Sequence, residues 1–566
     1  MKLKIKNSPV TGLWILIALL VVTFLPSLGD AIFNSKGEPR EAVVAVSMLQ
    51  SGDWILPVSN GGDIPYKPPF LAWCIALCSL VVGHVTEFTS RLPSALALIA
   101  MVVWGYRFYS RRGDWLKALI SALVTVTAFE VYRAGYACRV DMVLTFFIVT
   151  ALYRMFAVWQ RGWRFPLLAV VLMSGAVLTK GPVGVLLPCL VMGVFMLLKG
   201  ENFWKSVGRL SLVAIASLII PAMWYVAAYA QGGQEFLDLA LEENIGRATG
   251  TMSYASHVNP WYYNVITVVS GYAPYTLLAL LALPLLKHVK MTFNVKGWWS
   301  GVRQMDDVKL FSLVGIVVIF VFYCIPESKR SVYLLPIYPF IACFVTEMIV
   351  WLARHHRRVV DIYGGVLSVV AILASLAFIA VQCELFPYEI LKGKRALENA
   401  MMVTALEQRM TITEWLVVEL SAVAGGLYLI KSRRISGMLS ALSALLLTLS
   451  IYWAFSAVYQ PAVLGAKSDK PIALELNRLQ PEGDIYSYVK TPMLRFYIAN
   501  FYTGDRIKQF EKEMPDNGLL IVGVEDAREF LPKYKQSYDW SLVKHWQKRG
   551  RDVGQQVLLL RFNRKD

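Results

Sequence analysis

Long apolar runs recur along most of this chain, and they constrain its fold more than any other feature. A helix needs roughly 20 apolar residues to cross the hydrocarbon core of a bilayer, and thirteen runs approach that length. They are Leu13–Leu28, Leu92–Phe108, Leu116–Tyr132, Met142–Val158, Phe165–Leu178, Val183–Leu198, Leu210–Ala230, Val265–Leu286, Leu310–Ile325, Val332–Leu352, Val359–Val381, Trp415–Ile430 and Met438–Val458. Hydrophobic residues make up 56% of the 566 positions, which is more than soluble domains contain. The sequence therefore predicts an all-α polytopic membrane protein.

A fourteenth run, Phe70–Gly83, is short and suits an interfacial or re-entrant helix. If it does not cross and Lys2, Lys4 and Lys6 hold the N-terminus in the cytoplasm, every short cytoplasmic loop is basic. These loops carry Arg107, Arg111, Arg112 and Lys117; Arg161 and Arg164; Lys199, Lys205 and Arg209; Lys287, Lys290, Lys296, Arg303 and Lys309; Arg354, Arg357 and Arg358; and Lys431, Arg433 and Arg434. Counting the run as a span would place these clusters outside, against the positive-inside rule. We therefore predict thirteen spans, a cytoplasmic N-terminus and an external C-terminus.

The same clusters explain the net charge of +17, because they face anionic membrane lipids. Nucleic-acid binding is not expected. The composition indicates membrane lipids as partners, and we expect a monomer.

The tail of the chain differs in kind from the rest. The stretches "PEGDIYSYVK", "NGLLIVGVE" and "GQQVLLLRF" are typical of short strands, while "DKPIALELNRL" and "VEDAREFLPKY" are typical of amphipathic helices. This alternation predicts a small extracytoplasmic α/β domain over residues 466–566, after a transmembrane domain over residues 1–460. The tail has no phosphate loop, so we expect it to cover the mouth of a site or to contact an acceptor. The first external loop, residues 30–91, is expected to contain interfacial helices.

The predicted topology places the polar residues of several distant segments on the external face. These segments are the loop Ser35–Pro69, "YRAGYACRVD", "TKGP", the loop Gln231–Tyr262 and "IPESKRSVY". Ionisable groups near the hydrocarbon core are costly unless they pair or line a polar cavity. The pattern favours one external-face site.

Four motifs of the first loop, "GEPR", "SGDW", "YKPP" and "SRLPS", occur in this order. The loop resembles that of the GT-C membrane glycosyltransferases, in the branch that holds the aminoarabinose transferases of lipid A and the protein O-mannosyltransferases. The resemblance continues through "RVDMVLTFF", "LTKGPVGVLLP", "EENIGRATG" and "SKRSVYLLPIYP", and so covers roughly Leu13 to Leu352. That family also has thirteen spans and an external C-terminal domain.

The resemblance implies a transferase that moves a monosaccharide from a polyprenyl-phosphate-linked donor to an acceptor on the outer face of the bacterial inner membrane. We favour lipid A or another envelope glycolipid as the acceptor, with a protein hydroxyl as the alternative. A lipid or glycan transporter is the non-enzymatic alternative, but the chain lacks the internal repeat that many transporters show. The sugar cannot be read from the chain.

The resemblance also implies roles for individual residues. Arg40, Lys67, Arg247 and Lys329 match basic positions of the family and are expected to bind the donor phosphate, where cations stabilise the leaving group. Glu38 and Asp141 are the catalytic candidates, because a carboxylate can take a proton from a hydroxyl acceptor. Lys180, Tyr66, Asn244 and Tyr333 are expected to line the site.

Structural roles are the alternative for several of these residues. Arg40 and Lys67 could pair with Asp53 or Asp63, Lys180 could extend from a helix end towards the interface, and Asp141 could serve as a helix N-terminal carboxylate. Asp53 is expected to hold a turn in "SGDWILP".

The chain departs from the family at three positions. Gly37 stands where the family has its first acid, so Glu38 or Asp141 has taken over that task, the acceptor is acidic enough to need no base, or the chain is an inactive relative. Tyr66 and Asn244 stand where the aminoarabinose branch has metal ligands. Because the anionic and imidazole donors are gone, we expect no zinc and no cofactor there, although another divalent metal stays open.

Overall fold

The computed structural model describes residues 8–65, 67–246, 257–288, 301–302, 304–393, 396–408 and 410–565. Its α-helices are α1 (Pro9–Phe24), α2 (Gly37–Ser51), α3 (Phe70–Val82), α4 (Glu87–Ser110), α5 (Trp115–Val126), α6 (Phe129–Gly135), α7 (Val140–Trp159), α8 (Leu167–Lys180), α9 (Val183–Leu198), α10 (Phe203–Leu241), α11 (Tyr263–Gly271), α12 (Tyr275–Ala282), α13 (Asp307–Cys324), α14 (Tyr338–His355), α15 (Arg357–Gln382), α16 (Ala396–Glu407), α17 (Ile412–Lys431), α18 (Gly437–Ala454), α19 (Gln460–Gly465), α20 (Lys470–Leu479), α21 (Tyr497–Tyr502), α22 (Phe510–Glu513) and α23 (Val524–Lys533). Its strands are β1 (Ile485–Tyr488), β2 (Ile507–Gln509), β3 (Asn517–Gly523), β4 (Tyr538–Trp546) and β5 (Val557–Arg564).

Every one of the thirteen predicted apolar runs falls on helix. Within the described residues, eight helical segments are long and apolar enough to cross a membrane, and two bent helix pairs raise that number to ten. The other three runs lie in α1, α8 and α9, which have 14 to 16 residues. The chain is thus a multi-pass membrane protein, and the number thirteen stays a prediction. The fourteenth run forms the 13-residue helix α3, short as expected.

A backbone hydrogen bond joins the two bent helix pairs. The α5–α6 pair bends by 71° and the α11–α12 pair by 97°. Where these helices break, the Phe129 N–H donates to the Ala273 carbonyl at 3.0 Å, and the Tyr452 hydroxyl donates to the same carbonyl at 3.0 Å. Pro274, which follows, has no N–H to offer. Backbone groups freed at membrane depth must find partners inside the protein, and these breaks provide them.

The chain folds as two compact units. The helical unit comprises Met1–Pro26, Ser94–Ala380 and Met410–Ser456, and the loop-and-sheet unit comprises Ser27–Pro93, Val381–Arg409 and Ala457–Asp566. In the helical unit, α7 is buried along most of its length and packs against α8 and α9. A helix that is apolar all round requires this position.

The loop-and-sheet unit holds a five-stranded sheet of order β2-β1-β3-β5-β4. The first three strands are parallel, while β5 runs antiparallel to β3 and to β4. The predicted strands around Ile485, Asn517 and Val557 and the helices α20 and α23 are confirmed. Strands β2 and β4 were not predicted. Alternating residues of the strands build a core on each face, one around Leu476 and the other around Phe510.

The first loop packs with the C-terminal residues in this unit. Asp505 accepts hydrogen bonds from the Ser47 hydroxyl at 2.6 Å and the Asn60 N–H at 2.8 Å. Arg495 pairs with Asp63 at 2.9 Å. Residues 27–93 therefore belong to the same unit as the sheet, and the predicted boundary between residues 460 and 466 stays a prediction.

Candidate active site

Glu41, near the start of α2, contacts two of the predicted phosphate ligands. Lys67 donates to a carboxylate oxygen of Glu41, and an Arg40 guanidinium nitrogen lies 3.4 Å from the same oxygen. The three side chains are 13 to 32% exposed, so solvent and ligands can reach them. Two cations that meet at one carboxylate make a candidate anion site, because a phosphate can accept hydrogen bonds from the same two cations. The alternative partners Asp53 and Asp63 are engaged elsewhere.

Asp53 holds a turn, as expected. Its Oδ1 accepts the Ile55 and Leu56 N–H groups at 2.9 and 3.1 Å. Asp63 pairs with Arg495 and also accepts from Gln509 at 3.0 Å.

Glu38 is buried in a bidentate pair with Arg91. The Arg91 Nε lies 2.8 Å from one carboxylate oxygen, and an Arg91 terminal nitrogen lies 3.3 Å from the other. Arg91 also donates to the Leu28 carbonyl at 3.1 Å and to the Ala31 carbonyl at 2.5 Å, and it stacks over the Phe33 ring at 5.1 Å. The pair fixes the start of α2 against α4 and residues 28–31. This geometry favours a structural role, and the catalytic role of Glu38 stays a prediction.

Glu41 and Arg91 are the residues of this unit that the sequence patterns did not single out. Positions 37 and 41 lie one turn apart on the same face of α2, so Glu41 presents a carboxylate near the glycine that replaces the family's acid. That spacing was a signal in the sequence. Arg91 stands in the "SRLPS" motif, which carries part of the resemblance but assigns no role to the arginine.

In the helical unit, α7 and α8 bring Asp141 to Lys180. Asp141 lies in the first turn of α7 and Lys180 is the last residue of α8, and their Oδ1 and Nζ atoms are 2.5 Å apart. Each charge is favoured by the dipole of its helix end. Asp141 is only 5% exposed, so this is a buried pair. The Lys180 ammonium also lies 4.1 Å from the centroid of the Tyr333 ring, a favourable cation–π distance.

Asn244 lies against the turn that follows Lys180. Gly181 has φ of 85°, a conformation that favours glycine, and a Cβ there would lie 2.2 Å from the Asn244 Oδ1. The "TKGP" turn thus needs glycine for its backbone and for its neighbour. Asp141, Lys180, Tyr333 and Asn244 come from four separate motifs, and the structure brings them together.

The remaining predicted residues are Lys329, Tyr66 and Arg247. The Lys329 side chain is buried and its ammonium donates to the Pro326 carbonyl at 2.6 Å, in its own turn. Tyr66 and Arg247 lie outside the described residues. A single site built from both units stays a prediction.

Burial shifts the pKa of groups in the loop-and-sheet unit. It raises the pKa of Tyr497 to about 12, an effect that the nearby Arg40 cation opposes. Burial also raises the pKa of the Asp505 carboxyl, although hydrogen bonds from Ser47, Asn60 and Asn500 oppose the shift. Tyr497 therefore stays a neutral phenol at neutral pH.

A metal centre is not evident in the part of the chain that is described. No group of three or more His, Cys, Asp or Glu side chains there could hold a metal ion. The Asn244 side-chain amide donates to the Ala240 carbonyl at 2.8 Å. The expectation of no zinc and no cofactor remains a prediction.

A family model and several known proteins are similar to this chain. The model described as "Dolichyl-phosphate-mannose-protein mannosyltransferase" matches residues 66–225. An uncharacterized protein of Aquifex aeolicus is 29% identical over 373 residues, which are 64% of this chain and 68% of that protein. The undecaprenyl phosphate-alpha-4-amino-4-deoxy-L-arabinose arabinosyl transferase of Shewanella sediminis is 25% identical over 330 residues, 56% of each chain. A transferase of the same name from Proteus mirabilis is 26% identical over 377 residues, 63% of this chain and 64% of that protein.

Two crystal structures share the fold of nearly the whole chain. ArnT from Cupriavidus metallidurans bound to undecaprenyl phosphate has a TM-score of 0.69 and 19% identity, covering 96% of this chain and 97% of that chain. The same protein in the apo state has a TM-score of 0.67 and 19% identity, covering 98% of each. The matched sequence spans less than two thirds of the named transferases, and at this identity the structures show the fold alone. The resemblance predicted from the motifs is confirmed.

Proposed function

We propose that the chain is a GT-C glycosyltransferase of the aminoarabinose transferase type, which transfers a monosaccharide from a polyprenyl-phosphate-linked donor to lipid A or another envelope glycolipid. The reaction would take place at the outer face of a bacterial inner membrane. The observation that carries the proposal is the meeting of Arg40 and Lys67 at Glu41, in the loop that holds the family motifs. The fold shared with a protein bound to undecaprenyl phosphate supports it.

Arg40 and Lys67 would act on the leaving group. When the acceptor oxygen attacks the anomeric carbon, the bond from that carbon to the phosphate oxygen breaks and the polyprenyl phosphate gains negative charge. Fixed cations at that oxygen lower the barrier because they need little rearrangement as the charge develops. An arginine can use two donors on the phosphate, while the lysine supplies a compact charge. Arg247 and Lys329 are further candidates for the same phosphate.

Glu41 would position these cations rather than accept a proton. Its carboxylate contacts Lys67 and Arg40, and so it orients both before the donor binds. The lost acid at Gly37 agrees with a phosphate acceptor on lipid A, because an ionised phosphate needs no general base. Glu38 and Asp141 stay catalytic candidates by prediction alone, and each is paired with a cation of its own unit.

The test is mass spectrometry of lipid A and envelope glycans from cells with and without the gene, complemented by variants. We expect deletion to remove one sugar-bearing species, Lys67→Met to fail to restore it, and Lys490→Met to restore it fully. Lys490 is a matched control because it is an exposed lysine of the same unit, paired with Glu529 at 2.6 Å. Unchanged glycoconjugates after deletion would refute the transferase proposal.

A protein acceptor is the second candidate, and the description of the family model that matches residues 66–225 favours it. The same strains distinguish the two. Loss of glycopeptides with unchanged lipid A would select the protein acceptor, whereas the reverse result would select the glycolipid.

We also propose a cytoplasmic N-terminus, a periplasmic C-terminal domain, a monomer and no resident metal. Reporter fusions at the two termini, mass photometry of the purified protein and elemental analysis test these points one by one. Stoichiometric zinc in the purified protein would refute the last of them.

A further inference from the structure

A cavity of about 540 Å³ in the helical unit is lined by five arginines. It lies at the C-terminal ends of α4 and α7, where helix dipoles favour cations. The arginines are Arg107, Arg111, Arg112, Arg154 and Arg161. The remaining lining includes Gln160 and apolar or aromatic side chains such as Trp104. The cavity is distinct from the candidate active site, and it lies on the face that the topology predicts to be cytoplasmic.

The cavity lining contains no carboxylate, and no described carboxylate forms an ion pair with these five arginines. Arg112 instead donates to the Gln160 side chain at 2.9 Å and to the Phe108 carbonyl at 3.0 Å. The Nε of Arg154 is buried without a hydrogen-bond partner among the described residues. Burial, together with the neighbouring Arg161 and Arg111, lowers the pKa of Arg112. The cluster is thus crowded with like charges that an anion would relieve.

A neighbouring cavity of about 490 Å³ shows that this charge imbalance is not general at this end of the unit. There Lys117 pairs with Glu347 at 2.8 Å, and Lys309 lies 3.6 Å from Asp306. Lys199 pairs with Asp307 at 2.6 Å. Lysines at this end of the unit are therefore neutralised by carboxylates of the protein, whereas the arginine cavity, which shares Arg112 and Gln160 with this lining, has no carboxylate in its own lining.

We propose that the arginine cavity binds the phosphate headgroup of an anionic phospholipid. Guanidinium groups match phosphate oxygens in a forked geometry, and basic pockets between membrane helices are suited to anionic headgroups. The volume admits a phosphoglycerol group, and Trp104 with its apolar neighbours offers a surface for the first carbons of the chains. Five cations favour a headgroup with two phosphates, such as cardiolipin, over one with a single phosphate.

The test uses the full-length protein in detergent and native mass spectrometry with added cardiolipin, phosphatidylglycerol or phosphatidylethanolamine. The variant is Arg107→Gln/Arg111→Gln/Arg161→Gln, whose three targets are exposed, so that the contacts of Arg112 remain. Each cation lost near the headgroup weakens binding by about tenfold or less. For the triple variant we therefore expect the affinity for cardiolipin to fall roughly a hundredfold. Phosphatidylethanolamine should bind weakly to both proteins.

The matched control is Lys117→Gln/Lys199→Gln/Lys309→Gln, which removes three lysines that lie close to carboxylates of the neighbouring cavity. We expect its cardiolipin affinity to stay within about threefold of wild type, because those lysines already have partners. Equal losses in the two triple variants would overturn the proposal, since general charge would then explain the binding. Unfolding temperatures of both variants, measured without lipid, show whether either fails to fold.

Inorganic phosphate tests whether the cavity binds a lipid headgroup or free phosphate. If millimolar phosphate raises the unfolding temperature of wild type as much as cardiolipin does, and the arginine variant abolishes both effects, the cavity is a free phosphate site and the lipid proposal fails. We expect stabilisation by cardiolipin alone.

Discussion

Two carboxylates near the start of α2 have opposite surroundings. Glu38 is 8% exposed, and its carboxylate accepts hydrogen bonds from two guanidinium nitrogens of Arg91, which is itself 2% exposed. Glu41, three positions later, is partly exposed and is shared by Lys67 and Arg40. Both belong to one stretch of the first loop, and both are acids next to cations. The difference lies in what else the cations contact.

Arg91 uses its remaining donors on main-chain carbonyls, so its charge is committed to the fold. Lys67 and Arg40 both contact the Glu41 carboxylate, and all three side chains are partly exposed to solvent. A buried, fully bonded pair stabilises one conformation, whereas a partly exposed one can exchange a partner for a ligand phosphate. The comparison teaches that the position of a charged residue in a family motif does not show whether that residue stabilises the fold or binds a ligand.

The largest effect should come from removing Arg91. Arg91→Met leaves the Glu38 carboxylate buried without its cation, and breaking such a pair costs about 3–5 kcal/mol of unfolding free energy. We expect a large drop in the unfolding temperature of the detergent-solubilised protein, with activity lost as a consequence. The double variant Glu38→Gln/Arg91→Met should recover part of the stability because no buried charge remains. An unfolding temperature equal to wild type in Arg91→Met would break the comparison.

Lys67→Met should show the opposite pattern, a catalytic loss with little change in stability. Removing one fixed donor to a developing charge typically lowers the rate by about 10²- to 10³-fold. Arg40 still pairs with Glu41, so the unfolding temperature should change little. The measurement is the initial rate of donor consumption by purified protein, with Lys490→Met as the control. A proportionate loss of stability would assign Lys67 to the fold, like Arg91.

Glu41→Gln should have a smaller effect and sharpen the distinction between positioning and folding. Without the carboxylate, Arg40 and Lys67 lose their common anchor, so kcat should fall roughly tenfold. The donor phosphate then has no carboxylate to displace, and KM for the donor should fall. A rise in KM together with a lower unfolding temperature would instead indicate a structural role for Glu41.

The sequence predicted the features of the fold that depend on local composition, and it missed those that depend on contacts between residues distant in the chain. The apolar runs predicted every long apolar helix because burial in lipid is a local property of composition. The two bends were missed, since they depend on bonds between Phe129 and Ala273, which are distant in sequence. In the sheet, β2 was missed because it has only three residues, and β4 because polar and charged residues interrupt its apolar ones and more than half of its residues are exposed.

In the candidate site, too, the sequence identified residues but not the contacts between distant ones. The motifs named Asp141, Lys180, Tyr333 and Asn244, and the structure places them together. Which carboxylate each cation contacts could not be read from the loop, because Lys67 lies 26 positions after Glu41 and Arg91 lies 53 after Glu38. Only the folded loop decides between these partners.

The smallest effect concerns Asp505, a buried carboxylate like Glu38 but held by neutral donors. Its pKa is raised above the usual value, chiefly by burial, so the folded state binds this proton more tightly than the unfolded state. The cost of burying the charged form is absent below the unfolded pKa and appears as pH rises through the raised folded pKa. This group therefore lowers the stability of the protein as pH rises above about 4, the reverse of a carboxylate paired with arginine. Asp505→Asn keeps the acceptor for the Asn60 N–H, and its new amide can donate to the Ser47 hydroxyl, which already donates to the Val43 carbonyl at 3.0 Å. We expect the unfolding temperature of the variant, measured from pH 4.5 to 7.5, to fall less with rising pH than that of wild type. Parallel curves would mean that Asp505 is charged throughout and that its neutral donors serve it as well as Arg91 serves Glu38.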